Sequence, residues 1–212
     1  PRFVMLPSGF LLLILPLCVP GDAMWARLYS GPGQTGEELY TEDYLAELSV
    51  VDFDEKAVSI CAEGVWLVYE NHKYNGAGMG TVTPIVASNE CTDLPVETSG
   101  LVTSIRQAGS PTNASKPTLT LYAYTNFRGP EMYLTKDWSD LDIFNDESYS
   151  AIVTGDQPWT VYTYDNYQGS GTCLMPDQVI TVGTESVSVG LFPTYTELGS
   201  AGAIRSASIG CA

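Results

Sequence analysis

The sequence predicts an all-β fold in two similar halves, each built from two units of one repeat. Four times a tyrosine is followed seven positions later by a glycine, and these tyrosines are spaced 40, 53 and 40 residues apart. The 212 residues include 20 Gly and 13 Pro, which suits short strands and tight turns better than long helices. The four pairs are Tyr29 with Gly36, Tyr69 with Gly76, Tyr122 with Gly129, and Tyr162 with Gly169.

Each unit begins with a strand and continues into a polar hairpin. The stretches Trp66–Tyr69, Leu119–Tyr122 and Trp159–Tyr162 have the alternating apolar pattern of strands. In three units the hairpin ends on an aromatic residue and the repeat glycine, while the first unit has no aromatic before Gly36. We expect the glycine to have a positive φ, which costs other residues about 1 kcal/mol or more. The tyrosine ring is then free to pack across the hairpin.

A serine later in every unit precedes a further β-rich stretch. Its hydroxyl is suited to bond the backbone of the folded hairpin and hold it in place. These serines are Ser59, Ser104, Ser150 and Ser206.

The combination of aromatic residue, glycine and serine resembles the Greek-key repeat of the βγ-crystallin superfamily. The resemblance covers nearly the whole chain after the leader and implies two domains, each an eight-stranded sandwich of two Greek keys. We place the first domain at residues 24–106, a linker at 107–117 and the second domain at 118–212. The alternative is another all-β sandwich in which the tyrosines are ordinary core or cross-strand residues.

Residues 1–23 have the pattern of a secretory signal peptide. Arg2 precedes the apolar run Phe10–Leu17, and small residues follow at Gly21 and Ala23, so cleavage after either is open. The run is shorter than the about 20 residues that a membrane-spanning helix needs. We therefore expect a secreted, extracellular protein without a membrane span.

An oxidising compartment allows cysteines to pair. After the leader, Cys61 and Cys91 lie in the first half, and Cys173 and Cys211 lie in the second. Pairing within each half is the simplest of the three possible connectivities. A glycosylation sequon begins at Asn113 in the predicted linker.

The formal net charge of −16 disfavours nucleic acid as a partner, because phosphate backbones would be repelled. Carboxylates do attract cations, and calcium prefers oxygen ligands. A charge that only keeps a secreted protein soluble is the alternative.

The resemblance implies candidate calcium loops of the form (Asn/Asp)-(Asn/Asp)-x-x-(Ser/Thr)-Ser. The third unit ranks first, with Asn145 and Asp146 in the leading positions but Tyr149 at the hydroxyl position. The first unit has Asp54 and Glu55 but Val58 at that position; the second keeps the hydroxyl in Thr103; the fourth has Arg205 there. Family sites also use a carbonyl from a hairpin, here at His72, Thr125 or Asp165. We expect weak binding, about 10⁻⁴ to 10⁻³ M, unless the loops fold as turns without metal.

Catalysis has little support in the sequence. The single histidine, His72, has no neighbouring nucleophile, and no G-x-S-x-G motif is present. We predict a secreted, non-enzymatic structural or extracellular matrix protein that packs against itself or another extracellular protein. The second hypothesis is a secreted defence or interaction protein: a protease inhibitor, a toxin-like protein, or a binder of carbohydrate or protein.

Overall fold

The computed structural model describes residues 24–199 and 203–211. The predicted signal peptide, residues 1–23, lies outside the described residues. No helix in the described part of the chain is long and apolar enough to cross a membrane.

The first half contains five strands, a 3₁₀ helix at Leu48–Val51 and a short helical segment at His72–Asn75. The strands are β1 (Trp25–Gly31), β2 (Thr35–Thr41), β3 (Ser59–Tyr69), β4 (Val82–Asp93) and β5 (Ser104–Ala108). Since β5 ends at Ala108, the first two residues of the predicted linker belong to a strand.

Strand β3 serves both layers of the first sandwich. Its first part, Ser59–Glu63, pairs with β1, and its last part, Val65–Tyr69, pairs with β5. Gly64 lies between them with φ of 100°, a conformation that glycine adopts without strain. Strand β4 runs antiparallel to the whole of β3, with an irregularity between Ala62 and Glu63. One long hairpin therefore joins two Greek keys.

The second half repeats this architecture in eight strands, because the two long strands β3 and β4 each correspond to two shorter strands and one strand is additional. Its strands are β6 (Thr118–Tyr124), β7 (Arg128–Leu134), β8 (Ser150–Gly155), β9 (Trp159–Tyr164), β10 (Gln168–Leu174), β11 (Gln178–Val182), β12 (Glu185–Phe192) and β13 (Ser206–Ile209). A 3₁₀ helix spans Asp142–Phe144. One sheet has the order β11-β12-β8-β6-β7 and the other β10-β9-β13. The prediction of an all-β fold with two Greek-key sandwiches is confirmed; the domain boundaries stay predictions.

The two sandwiches are packed against each other through apolar side chains. Along β6, Leu119 and Leu121 face the core of the second half, whereas Tyr122 joins the core cluster of the first half. The alternation follows from the two-residue period of a strand, so β6 is buried on both faces. Ile152 on β8 also joins the first cluster.

The β11–β12 hairpin extends this contact. Val182 and Val187 of this hairpin are buried in the core cluster of the first half. Thr181 donates its backbone N–H to Ser88 Oγ at 2.9 Å, and the Glu63 carboxylate accepts from the backbone of Gly183. Strand β11 has no counterpart in the first half, and the repeat did not predict it.

Candidate functional site

In every unit the repeat serine bonds the hairpin before it. Each hydroxyl donates to a backbone carbonyl at 2.6–2.7 Å and accepts a backbone N–H at 2.9–3.1 Å. The carbonyl and N–H partners are Gly31 and Gln34 for Ser59, Asn71 and Tyr74 for Ser104, Tyr124 and Phe127 for Ser150, and Tyr164 and Tyr167 for Ser206. These bonds place each hairpin over the loop that leads to the serine.

The repeat glycines have the expected conformation in three units of four. Gly36, Gly129 and Gly169 have φ of 85°, 76° and 81°. The expectation is wrong for Gly76, whose φ is −55°. The second unit has a longer connection, in which β4 begins only at Val82, and the left-handed stretch, two residues long in the other units, covers residues 73–75 here.

The repeat tyrosines pack edge-on against the hairpin aromatics. Ring centroids lie 5.7–5.9 Å apart in pairs whose planes are steeply inclined, a favourable aromatic geometry. The pairs are Tyr69 with Tyr74, Tyr122 with Phe127, and Tyr162 with Tyr167.

The loop that the sequence ranks first for calcium already faces a cation of the chain itself. Arg205 donates to both carboxylate oxygens of Asp146, from Nη2 at 2.6 Å and from Nε at 3.1 Å. These bonds lower the pKa of Asp146 and raise the pKa of Arg205, to which the Asp165 carboxylate also contributes. A calcium ion here would have to compete with a bidentate guanidinium.

The neighbours of this loop are also engaged. Asn145 donates from Nδ2 to Asp140 at 2.9 Å. Its Oδ1 and the Oδ1 of Asp165 are buried and accept no hydrogen bond within the described residues. Tyr149, at the hydroxyl position, packs its ring edge-on against Tyr195.

The equivalent place in the first half has no arginine. Counting back from the repeat serines, Thr103 corresponds to Arg205 and Glu55 to Asp146. Glu55, Glu70, His72 and Thr103 line one cleft of about 410 Å³. Thr103 Oγ1 donates to the carbonyl of Glu70 at 2.9 Å, which leaves its lone pairs free to coordinate.

Asp54 lies at the edge of this cleft. Its Oδ1 is 4.0 Å from His72 Nδ1 and is a buried oxygen that accepts no hydrogen bond in the described part of the chain. Carboxylate, hydroxyl and carbonyl oxygens, the ligands that hard cations prefer, therefore line or border one cleft. The fit is partial, because residues 24–199 and 203–211 contain no group of three or more His, Cys, Asp or Glu placed to hold a metal.

A second site, at the junction of the two sandwiches, was missed by sequence reasoning. Arg106 on β5 is 1% exposed and lies 3.3 Å from the Glu131 carboxylate on β7. Its Nε donates to Tyr69 Oη at 2.8 Å, and its Nη2 donates to the Phe127 carbonyl at 3.0 Å. The guanidinium also lies 4.8–5.0 Å from the ring centroids of Tyr69, Tyr74 and Tyr122. The arginine side chain is thus shared by both halves.

The charges at this junction perturb one another. Burial would lower the pKa of Arg106, but Tyr69 and Glu131 outweigh it and the pKa is raised. Burial raises the pKa of Glu131 and Arg106 opposes the rise. Burial also raises the pKa of Tyr122 well above its ordinary value. The one sequence signal was a lone arginine in the short β-rich stretch after Ser104, and the structure buries all five residues of that strand.

The structure joins Cys61 to Cys91 and Cys173 to Cys211, the pairing within each half that the sequence favours. Cys61 and Cys91 are directly opposite each other on β3 and β4. Asn113 is exposed, and its Oδ1 accepts from Ser115 Oγ at 3.0 Å. The sequon is therefore accessible.

Comparison with known proteins agrees with this architecture. A sequence model of the Beta/Gamma crystallin family matches residues 118–202. No curated protein matches the chain. Among solved structures, the chain is similar to Geodin, a beta-gamma crystallin from Geodia cydonium, with a TM-score of 0.64 and 21% identity over 89% of this chain and 99% of that one.

Two further solved structures are similar over different lengths. A beta-gamma crystallin from Ciona intestinalis is 18% identical over 40% of this chain and 99% of that one, with a TM-score of 0.35. Protein S, solved in solution in complex with calcium, is 16% identical over 87% of this chain and 98% of that one, with a TM-score of 0.32.

Residues 118–202 thus match the Beta/Gamma crystallin family, and the fold across both halves is that of Geodin.

Proposed function

We propose that the chain is a secreted, non-enzymatic structural protein of the extracellular matrix, in which two sandwiches act as one stiff unit. The observation that carries the proposal is the Arg106 junction, where a buried guanidinium bonds groups from both halves. A stiff unit transmits force and spacing, which a pair of freely tethered modules does not. Two disulfides and an exposed sequon support an extracellular setting.

We propose self-association, or packing against another extracellular protein, as the way this unit is used. Sedimentation velocity over a wide range of concentration tests it on the mature protein. The expected result is reversible growth of the sedimentation coefficient with concentration. A strictly monomeric species that also fails to bind extracellular matrix preparations would contradict the structural role.

We also propose weak calcium binding, at the first-half cleft rather than at the third-unit loop. Asp54, Glu55 and Thr103 and the carbonyl of Glu70 would hold the ion, with affinity of about 10⁻⁴ to 10⁻³ M because the charged ligands are few. Asp54 Oδ1 supports this placement, since it is a buried acceptor without a donor in the described residues. Bound calcium would supply a cross-link between the loop of one unit and the hairpin of the next.

Thermal melting with and without millimolar calcium tests this placement, since a ligand that prefers the native state raises the midpoint. The rise should be lost in Glu55→Gln and kept in the matched variant Asp146→Asn. Arg205→Thr should increase the rise by freeing the second-half loop. If the rise of the melting midpoint depended on Asp146 and not on Glu55, calcium would bind at the third-unit loop instead. If calcium raised the midpoint of no variant, the proposal of calcium binding would be rejected.

A further inference from the structure

A second cleft, of about 540 Å³, opens at the junction of the two sandwiches. It lies beside Arg106 but is lined by other residues: Asp43, Tyr44, Gln107, Gly109, Pro111 and Tyr133. Its volume is in the range of small-molecule sites, about 300–1,000 Å³. Because Tyr44 belongs to the first half and Tyr133 to the second, the cleft exists only when the halves are packed together.

Two tyrosine rings form the walls of this cleft. Tyr44 is 40% exposed and Tyr133 is 39% exposed, so both present ring surface to a ligand. Tyr44 is held in place by an edge-on contact with Tyr74, at 6.0 Å between centroids. Burial and the neighbouring Glu131 carboxylate raise the pKa of Tyr44, so its hydroxyl stays protonated.

Besides the tyrosine hydroxyls, the cleft offers two side-chain acceptors, the Asp43 carboxylate and the Gln107 amide oxygen. Asp43 is exposed and takes part in no ion pair among the described residues. Gln107 is 4% exposed; its Nε2 donates to the Glu42 carbonyl at 3.4 Å, and its Oε1 accepts no hydrogen bond in the described chain. Among residues 24–199 and 203–211, no lysine, arginine or histidine lines the cleft. An anion would therefore meet no charged donor there.

A ligand that complements this cleft is an organic cation rich in hydrogen-bond donors. Such a cation matches the two aromatic faces, the free carboxylate and the unpaired amide oxygen. The net charge of −16 adds a general attraction for cations. The same junction already shows this chemistry, because the Arg106 guanidinium lies over three tyrosine rings. We propose that the cleft binds a guanidinium or alkylammonium group, carried by a free small molecule or by an arginine or lysine side chain of a partner.

Heteronuclear NMR titration of the mature protein with Nα-acetyl-L-arginine methyl ester tests the proposal. Saturable shifts should map to the cleft, and the neutral isostere Nα-acetyl-L-citrulline methyl ester should cause none. Asp43→Asn should weaken binding about fivefold, as the loss of one exposed ion pair allows. The matched surface variant Glu97→Gln makes the same change of charge at an exposed residue away from the cleft lining and should leave the affinity unchanged.

The contribution of the aromatic rings to binding is tested at Tyr133, which is not one of the tyrosines that surround Arg106. Tyr133→Leu should weaken binding about two- to fivefold, whereas Tyr133→Phe keeps the ring and should bind like the parent. Thermal melting of each variant shows that the fold is retained. A capped tripeptide with a central arginine distinguishes the sources: tighter binding than the ester indicates a protein partner, and weaker binding indicates a free cation.

Three results would overturn the proposal. The neutral isostere could shift the same resonances with equal affinity, or Glu97→Gln could weaken binding as much as Asp43→Asn does. The third is binding of a neutral sugar such as N-acetylglucosamine at the cleft while the ester causes no shifts there.

Discussion

Replacing Arg106 by methionine removes a buried charge from the junction of the two sandwiches while keeping much of the side-chain volume. The variant loses hydrogen bonds to Tyr69 Oη and to the Phe127 carbonyl, and it leaves the Glu131 carboxylate, 17% exposed, without its counter-charge. Breaking a buried pair by removing one partner costs about 3–5 kcal/mol. Tyr69 Oη still donates to the Phe127 carbonyl at 2.7 Å, which favours the lower end of that range, about 3 kcal/mol.

The double variant Arg106→Met/Glu131→Leu separates the ion pair from the packing around it. Removing both charges together avoids a stranded carboxylate, so it should cost less than the sum of the single variants, by about 2 kcal/mol. Equilibrium unfolding in urea, followed by circular dichroism, measures each free energy of unfolding. Arg205→Met is the control, because its ion pair with Asp146 is exposed and should contribute little.

Either of two results would refute this reasoning. One is a cost for Arg106→Met no larger than for the Arg205→Met control. The other is strict additivity in the double variant, which would mean that Arg106 and Glu131 do not interact.

Three further predictions concern local conformation and titration. Gly129→Ala should lower the free energy of unfolding by more than about 1 kcal/mol, because φ is 76° and a Cβ would meet the ring of Tyr124. Gly76→Ala should cost less, because φ at Gly76 is −55°. Equal costs in urea unfolding would contradict this prediction. Burial and the hydrogen bond to Glu42 raise the pKa of Tyr40 to about 12. Glu42→Gln should therefore lower the pKa of Tyr40, which titration followed by tyrosinate absorbance measures. An unchanged titration would exclude the hydrogen bond. The pKa of Glu131 is raised above 4.5, so between 4.5 and the raised pKa the folded state holds a proton that the unfolded state has lost. The contribution of Glu131 to the free energy of unfolding therefore falls as pH rises through this window. Glu131→Gln should abolish this pH dependence, as urea unfolding at a series of pH values will show.

Local patterns predicted the repeat because its determinants lie close together in sequence. The serine and the glycine of a unit both stabilise the same hairpin, so their spacing in the sequence is enough to predict that hairpin. Gly76 shows where this fails: the connection after Tyr69 is longer, and its left-handed stretch includes one residue more, Asn75, than in the other units. Spacing alone does not reveal which residue of a hairpin makes the turn.

The candidate sites depended on contacts between units, which a loop-by-loop interpretation does not capture. Arg205 was visible as a cation at the fourth loop, but its bidentate pairing with Asp146 on the third loop appears only in three dimensions. Glu55 and Thr103 likewise come from different units and line one cleft. Arg106 was missed because a buried charge is tolerated only with distant partners, here Glu131 and Phe127.

The junction has a consequence for how such chains are cut and recombined. A fragment ending near residue 110 would leave Arg106, Tyr69 and Tyr74 without the second half's Glu131 and Phe127, and would expose to water an apolar surface now covered by the β11–β12 hairpin. Such a fragment should aggregate and express poorly. Exchange of halves between related proteins should succeed only where the two surfaces that meet carry the matching arginine and glutamate.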